Sequence, residues 1–172
     1  LATMLAGGDS TLRRWPDERA GTPLRVAVIR QAVEGFREDF VSNVGWALVR
    51  WNGAQLPVQL VRDPDTSGAD IVVTWVARMD SNRTGRADVT WDALGRIRHV
   101  AVTLATHTPD GRLVVGSQMV ALALHELGHA LGLGHSPERA DALFPETSAI
   151  ELTDRDRRTA RLLYGLPVGS FR

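Results

Sequence analysis

Residues 125–135 read His-Glu-Leu-Gly-His-Ala-Leu-Gly-Leu-Gly-His, and no other stretch of the chain restricts the fold as much. His125 and His129 are four residues apart, so on a helix they stand one turn above the other on the same face. Both imidazoles then reach one metal ion. His135, six residues further on, cannot share that face if the helix continues. The chain must turn back, and Gly132 is placed for a left-handed backbone that carries no Cβ penalty. Gly134 adds freedom just before His135. Three neutral nitrogen ligands leave a fourth position for water, the arrangement of a catalytic zinc site rather than a closed structural one. Glu126, beside the first ligand, is the natural general base. A core helix with incidental histidines does not account for three ligands at this spacing together with the glutamate and the glycine.

The rest of the chain sets the scale. At 172 residues with 44% hydrophobic side chains it has the length for one domain with a sizeable core. No run of eighteen apolar residues is present, so no membrane span is expected. Twenty basic and twenty acidic residues cancel, which argues against an electrostatic nucleic-acid surface. All the basic residues are arginine, and cysteine is absent. The fold therefore uses no disulfide, and this chain carries no cysteine that could block a metal.

Periodicity places the elements. Residues 1–21 read as an N-terminal tail or linker, and 22–172 as the folded domain. Leu24 to Ile29 alternates as a strand. Phe40, Val44, Ala47, Leu48 and Trp51 form one apolar helical face between about Asp39 and Trp51, ended by Asn52-Gly53. Strands are expected at 57–61, at 71–76 (near-continuously apolar, so buried on both faces), at 86–91 and at 98–104. The metal-binding helix starts near Ser117 and is buried. Residues 137–151 are irregular. The last helix opens at Thr153, with Asp156 at the capping-box position, and stops at Gly165 and Pro167.

The pattern His-Glu-x-x-His-x-x-Gly-x-x-His resembles the metzincin zinc endopeptidases, and within them the matrixin-type catalytic domain of minimal bacterial form. The strand Ala69-Asp-Ile-Val-Val-Thr-Trp75, the pair His135-Ser136, and the ending from Leu152-Thr-Asp-Arg-Asp156 to Leu163-Tyr164-Gly165 are similar to matrixin segments, over roughly residues 22–166. The sequence departs from that pattern below the metal. Leu143 stands where matrixins carry the methionine of their Met-turn, a near volume-conserving change, and Phe144-Pro145 follow. Thr147 replaces a pocket-wall tyrosine. Vertebrate matrixins hold a second, structural zinc in a His-x-Asp cluster; His99 and His107 are too few for it, so one zinc is expected. Calcium is conceivable at Asp63, Asp65 and Asp70, or at Asp80, Asn82 and Asp88, although solvated acidic loops are commoner. Some bacterial relatives of metzincins are held latent by an upstream aspartate, the role Asp9 would take were its Gly-Gly-Asp-Ser setting not that of a linker. Tyr164 is too far along the chain to act at the metal and is expected in the core.

The resemblance implies an α+β fold: a mixed, twisted five-stranded sheet with three helices, the active-site helix below it. It implies Zn2+ on His125, His129 and His135, with Glu126 as catalytic base. A substrate pocket would involve Leu124, Leu143, Phe144, Pro145 and Thr147, and a peptide or protein substrate would pair antiparallel to the edge strand Arg86–Trp91. It further implies a monomer, secreted or periplasmic in a bacterium. Two other readings stay open: a non-catalytic zinc-binding module on the same scaffold, and a processing peptidase of narrow specificity.

Overall fold

The computed structural model describes residues 11–170. Asp9 lies outside them. The elements in chain order are β1 (Thr11–Leu12), a short 3-10 turn (Asp17–Arg19), β2 (Leu24–Val28), α1 (Glu38–Asn52), β3 (Leu60–Arg62), β4 (Ile71–Val76), β5 (Gly85–Trp91), β6 (Ile97–Ala105), α2 (Gly116–Ala130), α3 (Asp154–Gly165) and β7 (Gly169–Ser170). Strands β3-β2-β4-β6-β5 form one twisted sheet in that order. Neighbours are parallel except β5, which runs antiparallel to β6 at the sheet's end. With three α-helices among the described residues, this is the expected mixed five-stranded α+β architecture.

The strands differ from expectation in how they are covered. β4 buries Ile71, Val73 and Trp75 while Val72, Thr74 and Val76 remain half-buried, and β2 and β6 also bury one side more deeply than the other. Both long helices therefore pack on one face, and the apolar run of β4 is not enclosed on two. β-Branched residues fill a half-buried pleated face as readily as a fully buried one, so the run alone does not distinguish the two cases.

α1 buries Phe40, Val44, Ala47, Leu48 and Trp51, the predicted stripe, together with Val41. The Trp51 indole Nε1 donates to the Leu124 carbonyl at 2.9 Å, tying α1 to the middle of α2. The turn after α1 lies further on than Asn52-Gly53. Gly53 stays right-handed (φ −65°), and the left-handed residue is Gln55 (φ 59°). α2 is buried on several sides, and Gly128 makes its closest packing possible: a Cβ there would stand 2.8–2.9 Å from the Leu143 methyls and 2.9 Å from the Trp51 ring. α3 has the capping box expected, Thr153 N–H donating to Asp156 Oδ2 at 2.8 Å and Asp156 N–H to Thr153 Oγ1 at 3.1 Å.

The segment expected to be a linker is corrected over its described part. Leu12 and Trp15 are 0% and 1% exposed, and Arg14 is buried as well. β1 pairs antiparallel with β7. The Arg14 carbonyl accepts from Ile97 N–H at 2.9 Å, its guanidinium donates to the Leu166 carbonyl at 2.9 and 3.1 Å, and the Trp15 indole donates to the Ala130 carbonyl at 2.9 Å. Residues 12–15 thus clamp the end of α2. A stretch this short has no periodicity to read, and its partners are more than 80 residues away in sequence.

Candidate metal centre and its cleft

The first two histidines project from the last two turns of α2, as the four-residue spacing requires. The helix ends at Ala130, and Gly132 then takes φ +98°, reversing the chain toward His135. Here the glycine is required twice over: the φ disfavours any L side chain, and a Cβ would overlap the Arg13 carbonyl oxygen of the clamp.

The imidazoles are oriented by backbone carbonyls. His125 Nδ1 lies 2.9 Å from the Ala142 carbonyl and His129 Nδ1 lies 2.7 Å from that of Leu133. A carbonyl oxygen only accepts, so Nδ1 carries the proton in both rings and both Nε2 atoms present lone pairs. These lone pairs face each other. His129 Nε2 is 3.0 Å from His125 Nε2 and 3.2 Å from His135 Nε2. Nitrogens bound tetrahedrally to zinc at about 2.0–2.1 Å stand about 3.3 Å apart, so the three residues fit such an ion. Burial lowers the His125 pKa, brings that of His129 down to about 4, and with Arg83's charge lowers that of His135. All three are then neutral at pH 7, the form that ligates metal. Among the described residues they are the one cluster of histidines and carboxylates close enough to hold an ion.

Glu126 is 4% exposed. Burial pushes its pKa up to about 8, against the pull of Arg83 and with the push of Asp88. Its carboxyl lies beneath the first residue of β5: a Cβ on Gly85 would stand 2.5 Å from Glu126 Oε1. The histidines and Glu126 open into a cleft of about 1170 Å³ that runs beneath β5.

The expected pocket residues divide. Pro145 and Thr147 line the cleft, together with Ala121 and Leu122 of α2. Leu124, Leu143 and Phe144 do not line it. Leu124 is fully buried on the α1 side of the helix, because residue 124 lies about 100° around from His125. Leu143 is buried against Gly128. Phe144 faces Arg139, with the guanidinium 5.8 Å from its ring centroid. The Thr147 hydroxyl donates to the Asp141 carbonyl at 3.0 Å.

Sequence reading missed the side chain that organises the floor. Asp141, 1% exposed, accepts from Ser136 Oγ at 2.5 Å, Thr153 Oγ1 at 2.7 Å, and Arg155 Nε and Nη2 at 2.6 and 3.1 Å. Ser136 follows His135. Asp156 Oδ2 accepts from Ala142 N–H at 3.1 Å, and the carbonyl of that same Ala142 orients His125. Two carboxylates thereby tie the start of α3 to two of the three histidines. The capping box was visible in sequence; Asp141, in an irregular stretch, had no signal.

The remaining candidates do not join the histidine cluster, although Asn82 and Asp88 line the same cleft. His99 is half-buried on β6, and His107 Nδ1 meets Thr106 Oγ1 at 2.9 Å. Of the acidic loop residues, Asp63 and Asp65 pair with Arg25 at 2.9 and 3.1 Å, Asp70 with Arg19 at 2.6 Å, and Asp88 with Arg86 at 2.8 Å. Tyr164 is in the core, its hydroxyl donating to the Leu131 carbonyl at 3.0 Å, and burial raises its pKa.

Comparison with known proteins agrees with this geometry. A family model described as matrixin matches residues 21–165. Matrix metalloproteinase-21 of Cynops pyrrhogaster is 35% identical over 60 residues, an alignment covering 33% of this chain and 10% of that protein.

Proposed function

This chain belongs to the matrixin family, and from that premise we propose that it is a zinc-dependent endopeptidase with Glu126 as its general base. The observation that carries the reading is the convergence of three imidazole Nε2 atoms beside a buried carboxyl at the floor of an open cleft.

His125, His129 and His135 hold the ion. A bound zinc supplies Lewis acidity, which polarises a carbonyl and makes water nucleophilic near neutral pH. The chain's own residues do the rest. Glu126 takes a proton from the attacking water and returns it to the leaving amine, and the close cover of Gly85 over Oε1 holds its carboxyl in place for both transfers. The substrate backbone lies antiparallel along edge strand β5, an addition that tolerates varied sequence. Pro145 and Thr147 shape the wall opposite. Thr147 in place of a tyrosine favours, as a second reading, a peptidase of narrow specificity. Secretion, or export to a bacterial periplasm, follows from the same premise, as does a monomeric state. Among the described residues no helix is long and apolar enough to cross a membrane.

The test is a mixed peptide library with the zinc-loaded protein, the chelated protein and Glu126→Ala. Metal analysis should return about one zinc per chain, and two would overturn the reading of His99 and His107. Glu126→Ala should retain the zinc and lose about 100-fold or more in rate. A chelated protein as active as the loaded one refutes the peptidase; zinc binding with no cleavage of any peptide favours the non-catalytic module.

A further inference from the structure

The charges along the cleft are not balanced at the metal end. Arg86 is neutralised by Asp88 on the same strand, 2.8 Å away. Arg13, at the far end of β5, lies over Trp91 with its guanidinium 3.7 Å from the ring centroid. Glu146 is on the opposite wall. Arg83 remains: it is exposed, it lines the cleft, and no carboxylate among the described residues lies within 4.0 Å of it. It is also near the chemistry, since its charge acts on Glu126, His129 and His135. A lone arginine in a walled cleft beside a metal centre is a fixed positive site for an incoming anion.

Register says which part of a peptide it would meet. Gly85 covers Glu126, so the bond to be cleaved lies at that level of β5. Arg83 is two residues before Gly85, in the loop that leads into β5 and at most about 7 Å beyond the strand's first residue. A peptide antiparallel to β5 runs its C-terminal side in that direction. We infer that Arg83 selects substrates carrying a carboxylate within about three residues after the scissile bond. The carboxylate is an aspartate or glutamate side chain, or the peptide's own C-terminus when the bond lies close to it. This inference rests on the endopeptidase reading and names the substrate class for that same site.

The test uses quenched fluorescent peptides cleaved by the zinc-loaded protein, with Glu, Gln or Lys at each of the three positions after the cleaved bond. Each is made with a free and with an amidated C-terminus. Wild type should prefer Glu over Gln by about three- to five-fold in kcat/KM at one position, the size of a screened ion pair, and the preference should fade in high salt. Arg83→Gln should level the series, and Arg83→Glu should reverse it toward Lys. If the C-terminal carboxylate is the ligand, the preference follows the free acid and vanishes on amidation. Equal rates for Glu and Gln with both termini, or a preference that survives Arg83→Gln, overturn the inference. A second measurement separates it from the parent reading: anisotropy of labelled Glu and Gln peptides on zinc-loaded Glu126→Ala should show the same ratio in Kd, lost when Arg83→Gln is added. Failure of wild type to cleave any peptide refutes the endopeptidase, while this binding ratio still decides Arg83.

Discussion

Replacing Asp141 by asparagine tests whether the floor of the site holds the metal ligands. The carboxylate is buried and receives four donors, two at each oxygen. An amide of the same shape keeps one accepting oxygen. Its NH2 group, on whichever side it sits, meets one guanidinium N–H as donor against donor and forces the hydroxyl beside it to turn its own proton elsewhere. Arg155 is 48% exposed, so solvent takes up most of what it loses. The hydroxyl beside the amide loses a bond to a charged acceptor, worth about 1.5–3 kcal/mol. Asp141→Asn should therefore cost about 2–3 kcal/mol in metal-free urea denaturation at pH 7, and about tenfold in zinc affinity as Ser136 and His135 loosen. Burial raises the Asp141 pKa, but hydrogen bonds from Arg155, Ser136 and Thr153 more than offset it, and the folded value lies below the ordinary one. A carboxylate depressed in this way stabilises the fold fully above the unfolded pKa of about 3.9 and loses that contribution as pH falls through the folded value. The gap between wild type and variant should be constant above about pH 5 and shrink below pH 4. A cost under about 1 kcal/mol at pH 7, or a gap that widens in acid, would refute the reasoning.

Trp15→Phe removes the buried donor to the Ala130 carbonyl; it should cost about 1–3 kcal/mol by thermal or urea unfolding, whereas no change would mean that residues 12–15 do not clamp α2. Gly85→Ala places a methyl against Glu126 Oε1 and Leu122 Cδ1; kcat/KM should fall about tenfold or more as Glu126 is displaced, with zinc content unchanged, and full activity would show that β5 does not set the position of the base.

The site was legible where chemistry imposes local spacing. Histidines four apart on a helix must share a face, and a third six residues beyond must follow a reversal, so the histidine cluster, the adjoining glutamate and the reversal at Gly132 follow from eleven consecutive residues. The helices and the central strands were legible because a period of 3.6 or 2 repeats over several turns or pleats. The pocket was only half legible. Residues 143–147 make an irregular turn with no period to assign sides, so Leu143 and Phe144 could not be told from Pro145 and Thr147.

The sequence by itself determined the three-histidine cluster, the glutamate beside it and the order of the long helices and central strands, because each depends on residues within one or two helical turns of one another. Tertiary structure decided what surrounds that centre: the N-terminal clamp on α2, the Asp141 and Asp156 ties from α3, and the approach of Arg83 and Gly85 over Glu126. Those contacts join segments separated by 14 residues, as Asp141 and Arg155 are, or by 115, as Trp15 and Ala130 are. Nothing in a local pattern encodes which distant backbone will close on it, since burial and hydrogen-bond satisfaction are settled only when the whole core packs.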